Sequence, residues 1–273
     1  MTLTLNSTAI FADSDRDESG GEAPAVVDEL MRHLEPSPTD AFQSWIRSDS
    51  FPCVGAKAAL VRDRITVVEL GDITSPTSDV ELYRALRAYT ETLERDTPAV
   101  QSFAAVFPDS PPMTEVEFET ALWERLQCLH NFDAVLGEEW APDTSRDPES
   151  AHFGMSIGGE AYFVVGLHPH ASRPARCFRY PVLVFNSHDQ FERMREDGRF
   201  DQMKKIIRKR DTALAGGINP MLDDFGDSSE ALQYSGRRLG ENWKCPFSAK
   251  TDVEVELHTE ELGKDFGRGS RRS

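Results

Sequence analysis

The residues best suited to chemistry are crowded into GLHPHASRPARCFRYP, from Gly166 to Pro181. His168 ends an apolar run, and Arg173, Arg176 and Arg179 follow it closely. A histidine at a strand end can ligate a metal or a haem iron. Guanidinium groups match carboxylates bidentately, so these arginines could pair with haem propionates. The competing reading is a hydrogen-bonded core histidine beside surface arginines. His168 and His170 also form an HxH pair. Alternate strand residues share a face, so such a pair can chelate one metal, with His188 as a third ligand. Pro169 interrupts that strand, however, and no carboxylate sits at a familiar ligand spacing.

Two cysteines compete for the same chemistry. Cys245 precedes Pro246 in WKCPF, and a Cys-Pro thiolate can bind haem iron. Free cysteine is usually buried, so plain packing of Trp243, Cys245 and Phe247 is the alternative. Cys53 in FPCVGAKAA is open to the same two readings. Asp223, Asp224, Glu230 and Glu241 lie in an irregular stretch. A buried pair of them would suit a cationic guanidinium; otherwise they are solvated loop acids. The chain has no GxGxxG after a strand and no GxxxxGK[ST]. An oxygenase built on it therefore needs a metal or haem, because side chains do not activate oxygen themselves.

The elements that must position these residues can be read from pattern. Residues 1–24 are polar and acidic and are expected to be flexible. Ala25 to Leu34 reads as a short helix, and Ala41 to Arg47 as a helical turn. AALVRDRITVVEL suggests two strands turning at Arg62-Asp63. Apolar residues at Val80, Leu82, Leu86, Tyr89 and Leu93 give a helical rhythm over Ser78 to Asp96. Thr114 with Glu117 is a capping-box pair opening a helix to about Leu136. HFGMSIGG and EAYFVVGLH read as strands joined by Gly158-Gly159, and YPVLVFN as a third. Asp189 to Gly198 and Phe200 to Leu214 read as helices, the second ended by Gly216-Gly217. The stretch from Asn219 to Phe247 is irregular, and the tail 260–273 is expected to be flexible. Strands and helices do not alternate strictly, so the predicted class is α+β: one mixed domain, residues 25–259, with an antiparallel sheet and surrounding helices.

Composition sets the outer bounds. The chain has 273 residues, 39% hydrophobic and 9% aromatic, enough for a real core. Its formal charge of −17 argues against nucleic acid or an anionic membrane as partner. Four widely spaced cysteines without a CxxC argue against a disulfide framework. With no secretory or membrane-spanning signal visible, the cytoplasm is the expected compartment. No zipper pattern is visible, so a homodimer would have to use ordinary surface.

Taken together, FPCVGAKAA, SIGGEAYFVVGLHPHASRPAR, LVFNSHDQFE, IRKRD, NPMLDDFG, EALQYSGR and NWKCPF resemble the YqcI/YcgG family, from about Ala41 to Phe247. The resemblance implies a haem b-dependent N-hydroxylase of guanidino or related amino compounds in natural-product biosynthesis of the D-cycloserine type. L-arginine is the implied substrate, Nω-hydroxy-L-arginine the product, and dioxygen or peroxide with an electron donor the oxidant. It implies His168 as the axial iron ligand and Arg173, Arg176 and Arg237 as cofactor-binding residues. Asp224 and Glu230 become the substrate-holding acids of the catalytic site. Asn219, Tyr234 and Cys245 also fall on the family's pattern, and Cys245 stays open as an alternative iron ligand. Cys177 departs from it, standing where relatives often carry arginine, which puts a propionate role there in doubt. A non-catalytic haem carrier or sensor, and an N-hydroxylase of a different amine, are the alternative readings.

Overall fold

A computed structural model describes residues 35–97, 99–216, 226–240 and 242–249. The expected helix at Ala25 to Leu34 and both expected flexible termini lie outside them, as do Asn219, Asp223, Asp224 and Glu241. The chain divides after Ser37, and the sheet and helices all belong to the unit that begins at Pro38.

The fold is α+β. Five strands make one open, mostly antiparallel sheet: β1 (Ile65–Glu69), β2 (Ser102–Val106), β3 (Met155–Ile157), β4 (Glu160–Leu167) and β5 (Val182–Ser187). Their order is β1-β2-β5-β4-β3, with only β1 and β2 parallel. The described helices are α1 (Pro38–Arg47), α2 (Val54–Val61), α3 (Asp79–Glu91), α4 (Glu115–Leu136), α5 (His188–Glu196), α6 (Arg199–Ala215) and the short α7 (Ala231–Tyr234).

The sheet is covered on both faces. Alternate residues of a strand point opposite ways. Accordingly Ala104 and Val106 of β2 join Val182 and Leu167 in a cluster with Phe42 and Ile46 of α1 and Leu60 of α2. Their neighbours Phe103 and Ala105 join Leu183, Phe185 and Val164 against Leu82 and Leu86 of α3 and Leu122 and Leu126 of α4.

Local chemistry explains the element ends. The Thr114 hydroxyl accepts from the Glu117 amide at 3.3 Å, and the Glu117 carboxylate accepts from the Thr114 amide at 2.7 Å. This reciprocal cap starts α4, and Gly137 in the left-handed region ends it. Gly158 and Gly159, at φ 61° and 76°, form the two-residue turn between β3 and β4. The Gly158 amide donates to Asp133 of α4 at 2.7 Å, tying the hairpin to the helix.

Two elements differ from the sequence expectation. The hairpin expected at Arg62-Asp63 is instead helix α2 followed by strand β1, with Asp63 left-handed at φ 54°. Alanine, leucine and lysine are strong helix formers, and the Cys53 side chain caps the helix start. Strand β2 has no counterpart in the pattern reading. SFAAV is buried at every position, so it lacks the alternation that marks a half-exposed strand.

Gly166 marks the tightest packing between sheet and α4. A Cβ there would fall 2.8 Å from both Leu122 Cδ1 and Phe118 Cε1 and 2.9 Å from the Tyr234 carbonyl oxygen. Gly166→Ala should therefore lower unfolding free energy by about 2 kcal/mol through overpacking. Gly240→Ala, with nothing within 4 Å of the added carbon, should leave the denaturant midpoint nearly unchanged.

Candidate functional site

The sheet face beneath α1 and α2 is not completely filled. A cavity of about 230 Å³, partly open to solvent, lies between it and helices α1, α2 and α6. Val165 and Leu167 of β4 and Val184 of β5 form its floor. Phe42 and Trp45 of α1, with Phe51, form an aromatic wall, the Trp45 and Phe51 ring centroids being 4.6 Å apart. The walls are predominantly apolar, as small-molecule sites usually are.

Its polar lining comes from several elements: Ser102 of β2 donates to Asn186 of β5 at 2.7 Å, and the rest come from a turn and two helices. The turn Pro174–Arg176 brings Arg173 and Arg176 to the cavity. Arg173 makes an ion pair with Asp211 of α6 through Oδ2. Asp211 is buried, lines the cavity, and keeps its other oxygen, Oδ1, without a hydrogen-bond partner. Arg176 donates to three backbone carbonyls: Gly166 at 3.1 Å, Gln233 at 3.2 Å and Tyr234 at 3.4 Å. A guanidinium has five N–H donors, so capacity remains for a ligand. Burial pushes Arg176 down to about 10, which leaves it charged at neutral pH. Cys53, the N-cap of α2, lines the same cavity, with its thiol pushed up by burial.

The other sequence candidates are dispersed. His168 is buried at the end of β4 and stacks on Phe118 of α4, centroids 4.5 Å apart and planes 20° apart. Its Nδ1 is buried without a hydrogen-bond partner, and burial pushes the imidazole down to about 4, so it is neutral. It does not line this cavity. Arg237 pairs with buried Glu119, which also accepts from the Trp243 indole. That group borders a different cavity, on α4, of about 510 Å³. Glu230 is buried against His188, at 2.8 Å, and desolvation raises its carboxyl. His188 in turn borders a third cavity, with Glu160 and Asp189, of about 660 Å³. His170 meets the Met113 carbonyl at 2.9 Å, and the described residues contain no cluster of three metal-ligating side chains. The thiol of Cys245 is pushed up to about 12 by burial. Asp224 lies outside the described residues.

Arg173 and Arg176 are thus brought together, while His168, Arg237 and Glu230 stand elsewhere. Asp211 was missed because IRKRD reads as a solvated charged face. The available signal was spacing: Met203, Ile207 and Asp211 recur every fourth residue and so share one face of α6.

The arrangement is an α+β fold with an apolar cavity whose polar lining is two arginines, one carboxylate, a thiol, the Ser102 hydroxyl and the Asn186 amide. Haem is tested against that donor set. The apolar walls, the two arginines and Cys53 are of the types that meet a haem's macrocycle, carboxylates and iron. The space is not: about 230 Å³ is well under the volume of a haem, Arg173 is already paired with Asp211 and Arg176 with three carbonyls, so this cavity as it stands does not take the group. The chain belongs to the YqcI/YcgG family, whose model matches residues 42–248. It is 28% identical over 251 residues to the uncharacterized protein YqcI of Bacillus subtilis (strain 168), covering 88% of this chain and 94% of that one. It is 29% identical over 211 residues to the uncharacterized protein YcgG of the same organism, covering 74% and 82%. No solved structure matches. No helix among the described residues is long and apolar enough to cross a membrane.

The buried His168 has a measurable consequence. Its proton affinity falls from 6.5 unfolded to about 4 folded, so the unfolded chain binds the proton first on acidification. Its contribution is complete above pH 6.5 and is lost as pH falls toward 4, on the order of 2 kcal/mol. His168→Gln should flatten the pH dependence of unfolding free energy across that window. An unchanged slope in urea melts would contradict the buried neutral imidazole.

Proposed function

We propose that this protein is a haem-dependent N-hydroxylase of a guanidino compound, with L-arginine to Nω-hydroxy-L-arginine as the reaction. One observation supports a guanidino substrate: Asp211, which lines an apolar cavity, keeps a buried carboxylate oxygen with no partner. Bound haem supplies the redox chemistry that activates oxygen, which side chains lack.

The residues of this chain do the rest. Arg176, which has N–H groups to spare, holds the substrate carboxylate by charge-assisted hydrogen bonds, and Arg173 keeps Asp211 in place. Asp211 Oδ1 accepts an N–H from the substrate guanidinium, which satisfies an oxygen otherwise costly to bury. Phe42, Trp45 and Leu167 exclude water from the reacting nitrogen. An oxygen atom from peroxide enters the N–H bond and water leaves. With dioxygen, an external donor supplies two electrons and solvent two protons for the same balance.

The test uses the full chain expressed with haem supplied. A Soret band that shifts on titration with L-arginine, followed by a product heavier by one oxygen atom, is the expected result. Haem without turnover of any guanidine or amine would make the protein a carrier or sensor instead. Absence of a Soret band after haem supplementation would overturn the reading. Arg176→Gln should raise the concentration of L-arginine needed for the spectral shift about tenfold, the loss expected for one charged hydrogen bond. Asp211→Asn should raise the concentration of L-arginine needed for the spectral shift while haem binding stays near native.

A further inference from the structure

We infer that the outward face of α6 is a docking surface for a small acidic protein, which delivers the electrons that the proposed hydroxylation draws from dioxygen chemistry. The partner's electron-carrying role rests on that proposed function. The surface itself rests on charge and exposure.

Charge is distributed unevenly along the chain. Its formal charge is −17, yet α6 carries Arg199, Lys204, Lys205, Arg208, Lys209 and Arg210 against only Asp201 and Asp211. Asp211 is buried and paired with Arg173. Among the described residues, Lys204 pairs with Asp201 and Arg199 with Asp197, whereas Lys205, Lys209 and Arg210 enter no ion pair. These three side chains are exposed, as are Gln202, Ile206 and Leu214. Spacings of three and four put all six on one side of the helix. Met203, Ile207 and Asp211 take the opposite side: Met203 closes on Gly55 of α2, and the other two line the cavity. A charged helix face is ordinarily just solvated. Here uncompensated cations alternate with Ile206 and Leu214, large apolar side chains left 46% and 37% exposed. Apolar anchors ringed by one sign of charge suit a partner of the opposite sign.

Complementarity narrows the partner. A two-fold contact between copies of this chain would set Lys205 and Lys209 against themselves, like charge on like. A nucleic acid or an anionic bilayer extends well beyond one helix face and meets the acidic surface around it. Two large apolar side chains are also too few to seat a helix in a bilayer. A small acidic protein touches the basic face alone. One helix, roughly 10 Å thick, separates that face from the cavity that receives substrate in the proposed reaction. Each turnover there consumes two electrons and two protons: one oxygen atom of dioxygen enters the N–H bond and the other leaves as water. A one-electron carrier is therefore oxidised twice per product.

The test mixes the full chain, expressed with haem supplied, with an acidic one-electron ferredoxin at low salt. A carbodiimide then joins lysine amines to carboxylates in direct contact. Cross-links at Lys205 or Lys209, and reduction of the haem by the ferredoxin, are the expected results. Lys205→Glu should slow association about tenfold, as loss of electrostatic steering does, while reduction by dithionite stays native. Lys205 is exposed, so the variant should melt as the native protein does. Lys244→Glu makes the same change in net charge at another exposed site and should associate at the native rate. Equal slowing by both variants would reduce the effect to net charge and overturn the docking face. Cross-links confined to other lysines would overturn it too. So would binding of RNA, binding of phosphatidylglycerol vesicles or self-association in sedimentation, where Lys205→Glu abolishes it, since each gives the face a different occupant. Cross-links at Lys205 on a chain that takes up no haem would sustain the docking face and overturn the proposed function.

Discussion

The structure depends on three strands that are apolar on both faces. β2, β4 and β5 lie inside the sheet, and their alternating side chains leave no face that tolerates water. Each face must be covered, so α1 and α2 pack on one and α3 and α4 on the other. Burial of this kind is the main favourable term in folding, and here it dictates how many layers the domain has. It also sets how closely they approach: at Gly166, β4 and α4 are so near that a single methyl group does not fit.

Where the sheet runs out of strand, a guanidinium takes over. β3 pairs with β4 only through residue 162, and the Gly166 carbonyl farther along is met by Arg176. The same side chain gathers the carbonyls of Gln233 and Tyr234, joining the sheet edge to the end of α7. Buried backbone acceptors need donors, and an arginine with several N–H groups satisfies three of them at once. The structural task thus falls on a residue that also lines the cavity. It places a permanent positive charge beside an apolar cavity in a chain whose formal charge is −17.

Much of the framework was legible in the residues. The capping box at Thr114 and Glu117, the diglycine turn and the β-branched run at Val182 are local features with local causes. The failures share a cause as well. SFAAV is buried throughout because both of its sides are covered, and a strand covered on both sides carries no alternation to read. The first half of AALVRDRITVVEL is helical rather than a strand because its alanines and leucine favour helix, while its apolar residues suit either. Of the site, Arg173 and Arg176 were visible because one short turn carries both. Cys53 was visible as a candidate but not distinguishable from a packing cysteine.

The sequence by itself determined the α+β class, the family, the boundaries of most elements and the residues rich enough in chemistry to matter. These follow from short-range effects: periodicity, capping and turn geometry act over a few residues. Which of those residues face one another was decided only by the tertiary structure. Cys53, Arg176 and Asp211 are separated by well over a hundred residues from first to last, yet they border one cavity. His168, only eight residues from Arg176, ends on a phenylalanine ring outside it. The reason is that covering a doubly apolar sheet is a collective requirement. It fixes where α2 and α6 lie over the strands, and no local pattern encodes that placement.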